Sequence, residues 1–116
     1  MSRTEEAASA VQRALLACMG PGAAEQIALA QARLAWQEAV AAAGLEGGGM
    51  TSRLVTVRAG TAQVEASEPI LAQELGLRAE ALLAVANQRM EGRPGATIVL
   101  TRVTVSVGRA GGGRSL

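Results

Sequence analysis

The sequence predicts an α+β domain in which helices pack on one face of a small mixed three-stranded sheet. Apolar residues recur every three or four positions before residue 44 and again over 67–90, which is typical of amphipathic helices. They alternate with polar residues over 53–67 and 96–107, which is typical of strands. The element order is therefore α-α-β-β-α-β. One helix layer over one sheet face buries both sets of apolar side chains.

The composition indicates a globular protein of about one domain. The chain has 116 residues, and 49% of them are hydrophobic, which suffices for a core without disulfides or metal. The single cysteine, Cys18, excludes an internal disulfide and a multi-cysteine metal site. No apolar run has the length of a membrane span, and the start of the chain lacks the basic region of a signal peptide. We expect a cytoplasmic protein.

The types of charged residue exclude most enzyme classes. The formal net charge is +1, and Arg and Glu supply every charge because Lys, Asp and His are absent. Without His the chain lacks the commonest general base and zinc ligand. Without Lys it has neither Schiff-base chemistry nor a Walker motif. Only glutamates brought together by the fold could support catalysis, so we expect a non-enzymatic protein that uses no cofactor and no metal.

Two helices are predicted before the sheet. The first covers 2–19, where Ser2 and Glu5 fit a capping box, and the residues Gly20-Pro21-Gly22 end it. The second runs from about residue 23 to 43, with Gly44 at its C-terminal end. The apolar residues on one face of the second helix are Leu29, Ala32, Trp36, Val40 and Ala43.

Trp36 is the only aromatic residue of the chain, which contains neither Phe nor Tyr. It lies on the apolar stripe of the second helix, the side that should meet the sheet. Large rings on such a stripe are usually buried. We therefore expect Trp36 to anchor the core and not to contact a partner.

A β-hairpin is predicted over 53–67. Val55 and Val57 alternate with polar residues in its first strand, and the second strand alternates in the same way. The two residues Ala59-Gly60 form the turn between them. The hairpin should therefore have one apolar and one polar face.

The last helix and the last strand follow the hairpin. Ser67 is predicted to cap a helix that has Pro69 in its first turn and that bends or divides at Gly76. The last strand is predicted over 96–107. It pairs parallel if it lies beside the second strand and antiparallel if it lies beside the first, and the sequence does not decide between these orders.

Several polar residues should share the outer face of the sheet, away from the helices. They are Thr56, Arg58, Gln63, Glu65, Arg102, Thr104 and Ser106. Arg53 lies at a strand end, and Arg109 and Arg114 lie in the Gly-rich C-terminal tail. These arginines form either a solvated surface balanced by glutamates or a phosphate-binding patch, because the guanidinium fork suits phosphate.

The segment 44–47 spells Gly-x-x-Gly, the pattern with which KH domains clamp a nucleic-acid backbone. In KH domains that loop joins two helices. Here it falls between a helix and the first strand, within a glycine-rich stretch, which favours a plain linker.

The order and spacing of several motifs resemble the DciA family, small bacterial proteins linked to loading or operating the replicative helicase. The motifs are LAWQEAV on a helix, the hairpin RLVTVRAGTAQVEASEP, then LAQEL, LLAVANQRM and a final strand, together covering about 24–107. The family's helix tryptophan matches Trp36, its hairpin glycine matches Gly60, and its Gln-Glu-Leu matches 73–75. The chain departs from the family where Ile70 and Leu71 replace an aromatic residue.

The resemblance implies a KH-like fold, no enzymatic activity, binding to a DnaB-type hexameric helicase, and contact with DNA. We expect the helicase to contact Gln73 and Glu74. The DNA is expected to bind weakly to the arginines Arg53, Arg58, Arg102, Arg109 and Arg114. The predicted organisation is an N-terminal helix and linker over 1–22, the folded domain over 23–108, and a flexible tail over 109–116.

Two alternatives stay open beside this hypothesis. One is a KH-like RNA-binding module, although readers of single-stranded RNA usually stack bases on aromatic rings. The other is a structural adaptor that pairs through an open strand edge, for which 96–107 is the candidate strand.

Overall fold

Three helices cover one face of a three-stranded sheet in the computed structural model, which describes residues 22–108. The elements are α1 (Ala23–Ala42), β1 (Ser52–Arg58), β2 (Thr61–Ala66), α2 (Pro69–Leu77), α3 (Ala79–Met90) and β3 (Arg102–Val107). The predicted α+β class, with its helices packed on one face of a mixed sheet, is confirmed. The helix predicted over 2–19 and the tail 109–116 lie outside the described residues.

The strand order is β1-β2-β3, which settles the arrangement that the sequence left open. β1 pairs antiparallel with β2, and β2 pairs parallel with β3. Parallel neighbours need a long crossover connection, and α2 and α3 provide it. The crossover and α1 pack on the same side of the sheet, so its other side carries no helix of the described chain.

The core lies between α1, the crossover helices and the inner face of the sheet. Trp36 is completely buried, and its indole Nε1 donates a hydrogen bond of 3.4 Å to the hydroxyl of buried Ser52. The predicted role of Trp36 as a core anchor is confirmed. The other large and fully buried side chains are Val40, Leu54, Val64, Leu71, Leu75 and Leu100.

Helix α1 ends at Ala42, and the predicted glycine, Gly44, follows the C-cap residue Ala43. Gly44 has a φ of +70°, and the N–H of Leu45 bonds the carbonyl of Val40 at 3.3 Å. The N–H of Gly44 also donates to the carbonyl of Ala41. These two hydrogen bonds together form the Schellman motif, which provides donors for the last carbonyl groups of a helix.

The hairpin turn is the predicted pair Ala59-Gly60. Both residues have positive φ, +50° and +82°, which is the type I′ geometry that matches the twist of the flanking strands. A Cβ on Gly60 would lie 2.7 Å from the Thr101 hydroxyl oxygen, and the N–H of Thr101 donates to the Gly60 carbonyl at 2.8 Å. The turn therefore also holds the segment that leads into β3.

The alternation predicted for β1 is wrong at Val55. The register shifts between Leu54 and Thr56, because a β-bulge leaves Val55 without a partner on β2. Leu54 and Val57 therefore both face the helices, and Val55 lies outside the core. The alternating sequence gives no sign of this extra residue.

The helix predicted after the hairpin is two helices, and the break lies at Arg78, two residues beyond the predicted Gly76. The predicted cap is also wrong. Glu68 holds the N-cap position, with Pro69 as the first helical residue. The Ser67 hydroxyl instead accepts a hydrogen bond from the N–H of Thr51 at 2.9 Å, which ties the end of β2 to the start of β1.

The strand predicted over 96–107 forms only over its second half. β2 begins at Thr61, whose partner is Arg102, so the residues before 102 have no neighbouring strand to pair with. The side chain of Asn87 replaces that neighbour at Leu100. Its amide nitrogen donates to the Leu100 carbonyl at 2.8 Å, and its oxygen accepts from the Leu100 N–H at 2.9 Å.

Candidate nucleic-acid interface

The outer face of the sheet consists of rows, each formed by three residues that lie side by side on β1, β2 and β3. One row contains Arg58, Thr61 and Arg102, and the next contains Thr56, Gln63 and Thr104. A third row contains Arg53, Glu65 and Ser106. The residues predicted to share this face therefore do share it, and Thr61 and Arg53 join them. Three arginines and one glutamate give the face a formal charge of +2.

Arg58 and Arg102 lie at one end of this face, at the hairpin turn. Both are exposed, and Thr61 separates them, so their Cα atoms are two strand spacings, or roughly 10 Å, apart. Neither forms an ion pair with any carboxylate of residues 22–108. Their charges are therefore available to an anion, within the part of the chain that the structure describes.

Arg53 has a different environment. Its guanidinium lies 3.1 Å from the carboxylate of Glu65, its cross-strand partner on β2. The pair is exposed, so it contributes little to stability, but it offsets the charge of Arg53. Arg53 therefore offers less positive charge to a ligand than Arg58 and Arg102 do. Arg109 and Arg114 lie outside the described residues.

A shallow groove of about 190 Å³ lies between these rows, beside the bulge of β1. Val55 forms one wall, and the polar side chains of Gln63, Thr104 and Ser106 line it. These groups can donate and accept hydrogen bonds. Glu65 also lines the groove, and its negative charge is offset by its ion pair with Arg53. No aromatic ring lies on this face because the only one in the chain, Trp36, is buried.

The two residues predicted to bind a partner, Gln73 and Glu74, lie on the outward side of α2. Gln73 is exposed, whereas the Glu74 carboxylate lies 3.3 Å from the guanidinium of Arg78. Ile70 and Leu77 share that side, because residues three, four and seven apart lie on one helix face. Their exposed fractions of 64% and 74% mark an apolar surface that the sequence motif did not indicate.

The Gly-x-x-Gly segment has a structural role. Gly44 ends α1, and Gly47 forms an isolated bridge with Met50 in the loop before β1. The loop connects a helix to a strand and not two helices, as the linker interpretation predicted. The carboxylate of Glu46 accepts a bond of 2.8 Å from the N–H of Ser52, which fixes the loop to β1.

A second concavity of about 440 Å³ lies at the start of α1, beside the end of β1. Ala28, Leu29, Val57 and Ile98 form its apolar part, and among residues 22–108 Glu25 is the only charged residue that lines it. Within residues 22–108 the concavity therefore presents one carboxylate beside an apolar wall.

No helix within residues 22–108 has both the length and the apolar character to cross a membrane. In the same range, no three His, Cys, Asp or Glu residues converge in a way that could hold a metal ion.

Comparison with known proteins gives no match: no protein-family model, curated protein or solved structure is significantly similar to this chain. The resemblance to the DciA family therefore stays a hypothesis that depends on the quoted motifs. Of the matched positions, Trp36, Gly60 and Leu75 have structural roles, because two are buried and one forms a tight turn. Gln73 and Glu74 are the matched positions that a partner can reach.

Proposed function

We propose that this chain is a non-enzymatic accessory protein of DNA replication in the bacterial cytoplasm. It binds the DnaB-type replicative helicase and contacts DNA weakly through the outer face of its sheet. The observation that carries the proposal is the pair Arg58 and Arg102, exposed on one face without carboxylate partners in residues 22–108. The motif resemblance supplies the helicase as the partner.

The outer face supports contact with phosphates and not with bases. Arginines, threonines and a glutamine are groups that hydrogen-bond phosphate oxygens, and such contacts carry no sequence information. Stacking of bases needs exposed aromatic rings, which this face lacks. The expected binding is therefore weak, tolerant of sequence and strongly dependent on salt.

The outward side of α2 supports contact with a protein. Ile70 and Leu77 are apolar and largely exposed, and Gln73 lies between them on the same side. Helix faces of this kind dock into grooves of protein partners. The α2 side and the outer sheet face belong to opposite layers of the domain, so the helicase and DNA can bind at the same time.

The DNA part is tested by fluorescence anisotropy with a labelled duplex, a single strand, and an RNA of the same sequence, each over a range of salt concentrations. The variant Arg58→Gln/Arg102→Gln should bind the duplex about tenfold more weakly at low salt. The slope of log affinity against log salt should become shallower by about one for each phosphate that the variant no longer binds.

The matched control is Arg78→Gln/Arg89→Gln. It removes the same charge, but from arginines that pair with glutamates in the helix layer. Equal losses in the two variants would mean that net charge and not the sheet face governs binding. An affinity that does not change with salt would contradict the proposal, and RNA bound at least tenfold more tightly than DNA would favour the RNA-binding alternative.

The helicase part is tested by pull-down of the tagged chain with purified DnaB-type helicase after nuclease treatment. We expect recovery of the helicase with the unmodified chain and with Arg58→Gln/Arg102→Gln. We expect its loss with Ile70→Ser/Leu77→Ser, which changes only exposed side chains. If the helicase is not recovered with the unmodified chain, the replication role is wrong even if DNA binds.

A further inference from the structure

The two edges of the sheet differ in how they are protected. At the β1 edge, side chains of α1 donate hydrogen bonds to the backbone carbonyls of the strand. Arg33 donates to the carbonyls of Leu54 and Val55 at 3.1 and 2.8 Å, and Gln37 donates to that of Ser52 at 2.8 Å. The bulge at Val55 also interrupts this edge. Native proteins protect sheet edges by devices of this kind.

The β3 edge carries backbone groups that have no hydrogen-bond partner within residues 22–108. The N–H of Gly108 donates to the Ala66 carbonyl at 2.9 Å, and that of Arg102 to the Gly60 carbonyl at 3.4 Å. Thr101, which also donates to Gly60, precedes the strand, so from Arg102 onward the even-numbered residues face β2. Backbone groups alternate in direction along a strand. Those of Val103, Val105 and Val107 therefore point away from β2, and none bonds to another group of residues 22–108.

The sequence of β3 offers no protection against strand pairing. Four of its six residues are β-branched valine or threonine, none is proline, and Arg102 at its first position is the only charge. Its pairing with β2 is continuous from Arg102 to Val107, without a bulge. A regular and nearly uncharged edge strand is a template for another strand.

We propose that β3 pairs antiparallel with β3 of a second copy of this chain, with Val105 on the two-fold axis. In antiparallel pairs, residues that exchange both hydrogen bonds alternate with residues that exchange none. Centring the pair on Val105 places Val103 of one copy opposite Val107 of the other. All three outward-pointing residues of each copy then bond, and no other register achieves this among the residues of β3 itself.

The side chains fit a second copy in this register. In this register odd-numbered residues lie opposite odd-numbered ones, and even-numbered residues opposite even-numbered ones. The valines of both copies therefore lie on the helix side, and the polar residues of both copies lie on the outer face. Thr104 of one copy lies opposite Ser106 of the other, a pair of hydroxyls that can bond each other. Arg102 lies opposite Gly108, so no like charges meet. The two sheets become one sheet of six strands.

Analytical ultracentrifugation of the full chain over a range of concentrations tests the pairing, with two variants that differ in one residue. Thr104→Lys/Ser106→Lys places lysines opposite each other twice across the axis. Thr104→Lys/Ser106→Glu places lysine opposite glutamate at the same two points. Because cross-strand charge pairs attract or repel according to sign, the dimer dissociation constants of these variants should differ by about tenfold.

A disulfide tests the register itself, in a Cys18→Ser background. The two Cα atoms of residue 105 should lie about 5.5 Å apart, within the range that a disulfide spans, so Val105→Cys should form a covalent dimer on oxidation. Val107→Cys is the control, since its two copies lie four residues apart along the strands, about 13 Å, and should not react.

The expected result is a monomer–dimer equilibrium that the two-lysine variant weakens and the lysine–glutamate variant restores, with crosslinking at position 105 alone. A strictly monomeric chain at all concentrations would overturn the proposal and would mean that another segment covers the edge. A dimer that responds equally to both charge variants, or that crosslinks at 107 and not at 105, would also overturn it.

Discussion

The two faces of the sheet are formed by the same three strands and yet have opposite chemistry. The inner face carries Leu54, Ala62 and Val64, which are at most 1% exposed beneath the helices. The outer face carries the row of Arg58, Thr61 and Arg102, which no helix of the described chain covers. The inner face holds the domain together, and the outer face, which is open within residues 22–108, is the binding face that we propose.

This separation means that stability and binding can be changed independently. A substitution on the inner face should lower the free energy of unfolding, and binding should fall only because the fold is lost. A substitution on the outer face should leave the fold intact and change binding alone. The following predictions test that separation, from the largest expected effect on stability to the smallest.

The largest loss is expected for Trp36→Ala. The substitution empties the centre of the core and removes the bond from the indole N–H to Ser52. The free energy of unfolding should fall by about 3–5 kcal/mol, as for other large buried side chains. Chemical denaturation followed by circular dichroism measures it. A folded variant that loses only binding would contradict the separation of the two faces.

A smaller loss is expected for Asn87→Ala. The amide of Asn87 makes both hydrogen bonds to the backbone of Leu100, which leads into β3. The substitution leaves the N–H and the carbonyl of Leu100 without these partners, so the free energy of unfolding should fall by about 1–3 kcal/mol. Gln88→Ala, an exposed neighbour on α3, is the control. Equal effects of the two substitutions would show that the amide does not hold this segment.

The hairpin turn gives a pair of opposite predictions. Gly60→Ala should destabilise the fold by about 1–3 kcal/mol, because the new methyl group meets Thr101 and the residue keeps a positive φ. The loss should be visible as a lower midpoint in thermal unfolding.

The neighbouring substitution Ala59→Asn should instead raise the free energy of unfolding by about 0.5–1 kcal/mol. Ala59 has a φ of +50°, where asparagine is more easily accommodated, and Asn-Gly is the preferred type I′ pair. Thermal unfolding compares it with the unmodified chain. A lower midpoint would contradict the I′ assignment of the turn.

The smallest effect on stability is expected for Arg58→Gln/Arg102→Gln. Both side chains are exposed and make no ion pair within residues 22–108, so the free energy of unfolding should change by less than about 0.5 kcal/mol. DNA affinity should nevertheless fall about tenfold. A large loss of stability would mean that the outer face also supports the fold.

Local patterns predicted the elements whose structure depends on nearby residues. The apolar stripe of α1 predicted that Trp36 is buried, and the pair Ala59-Gly60 predicted the hairpin turn. Both predictions succeeded because helical periodicity and turn preference depend on residues close together in the sequence. The alternating strands also placed Arg58 and Arg102 on one face.

The features that the sequence did not predict depend on contacts between distant residues. The bulge at Val55 is stabilised by Arg33, more than twenty residues away, and the length of β3 is limited by where β2 begins. The apolar side of α2 was also missed. The resemblance indicated Gln73 and Glu74 alone, and only the packing of α2 shows that Ile70 and Leu77 are left exposed.

The most direct test of the proposed binding face is a ¹H–¹⁵N NMR titration of the chain with a short DNA duplex at low salt. We predict that the largest shift changes fall on the outer rows, at Arg58, Thr61, Gln63, Arg102 and Thr104, and decrease as salt is added. The amides of α2 and α3 should change little. Shift changes concentrated on those helices, or none at any DNA concentration, would contradict the account.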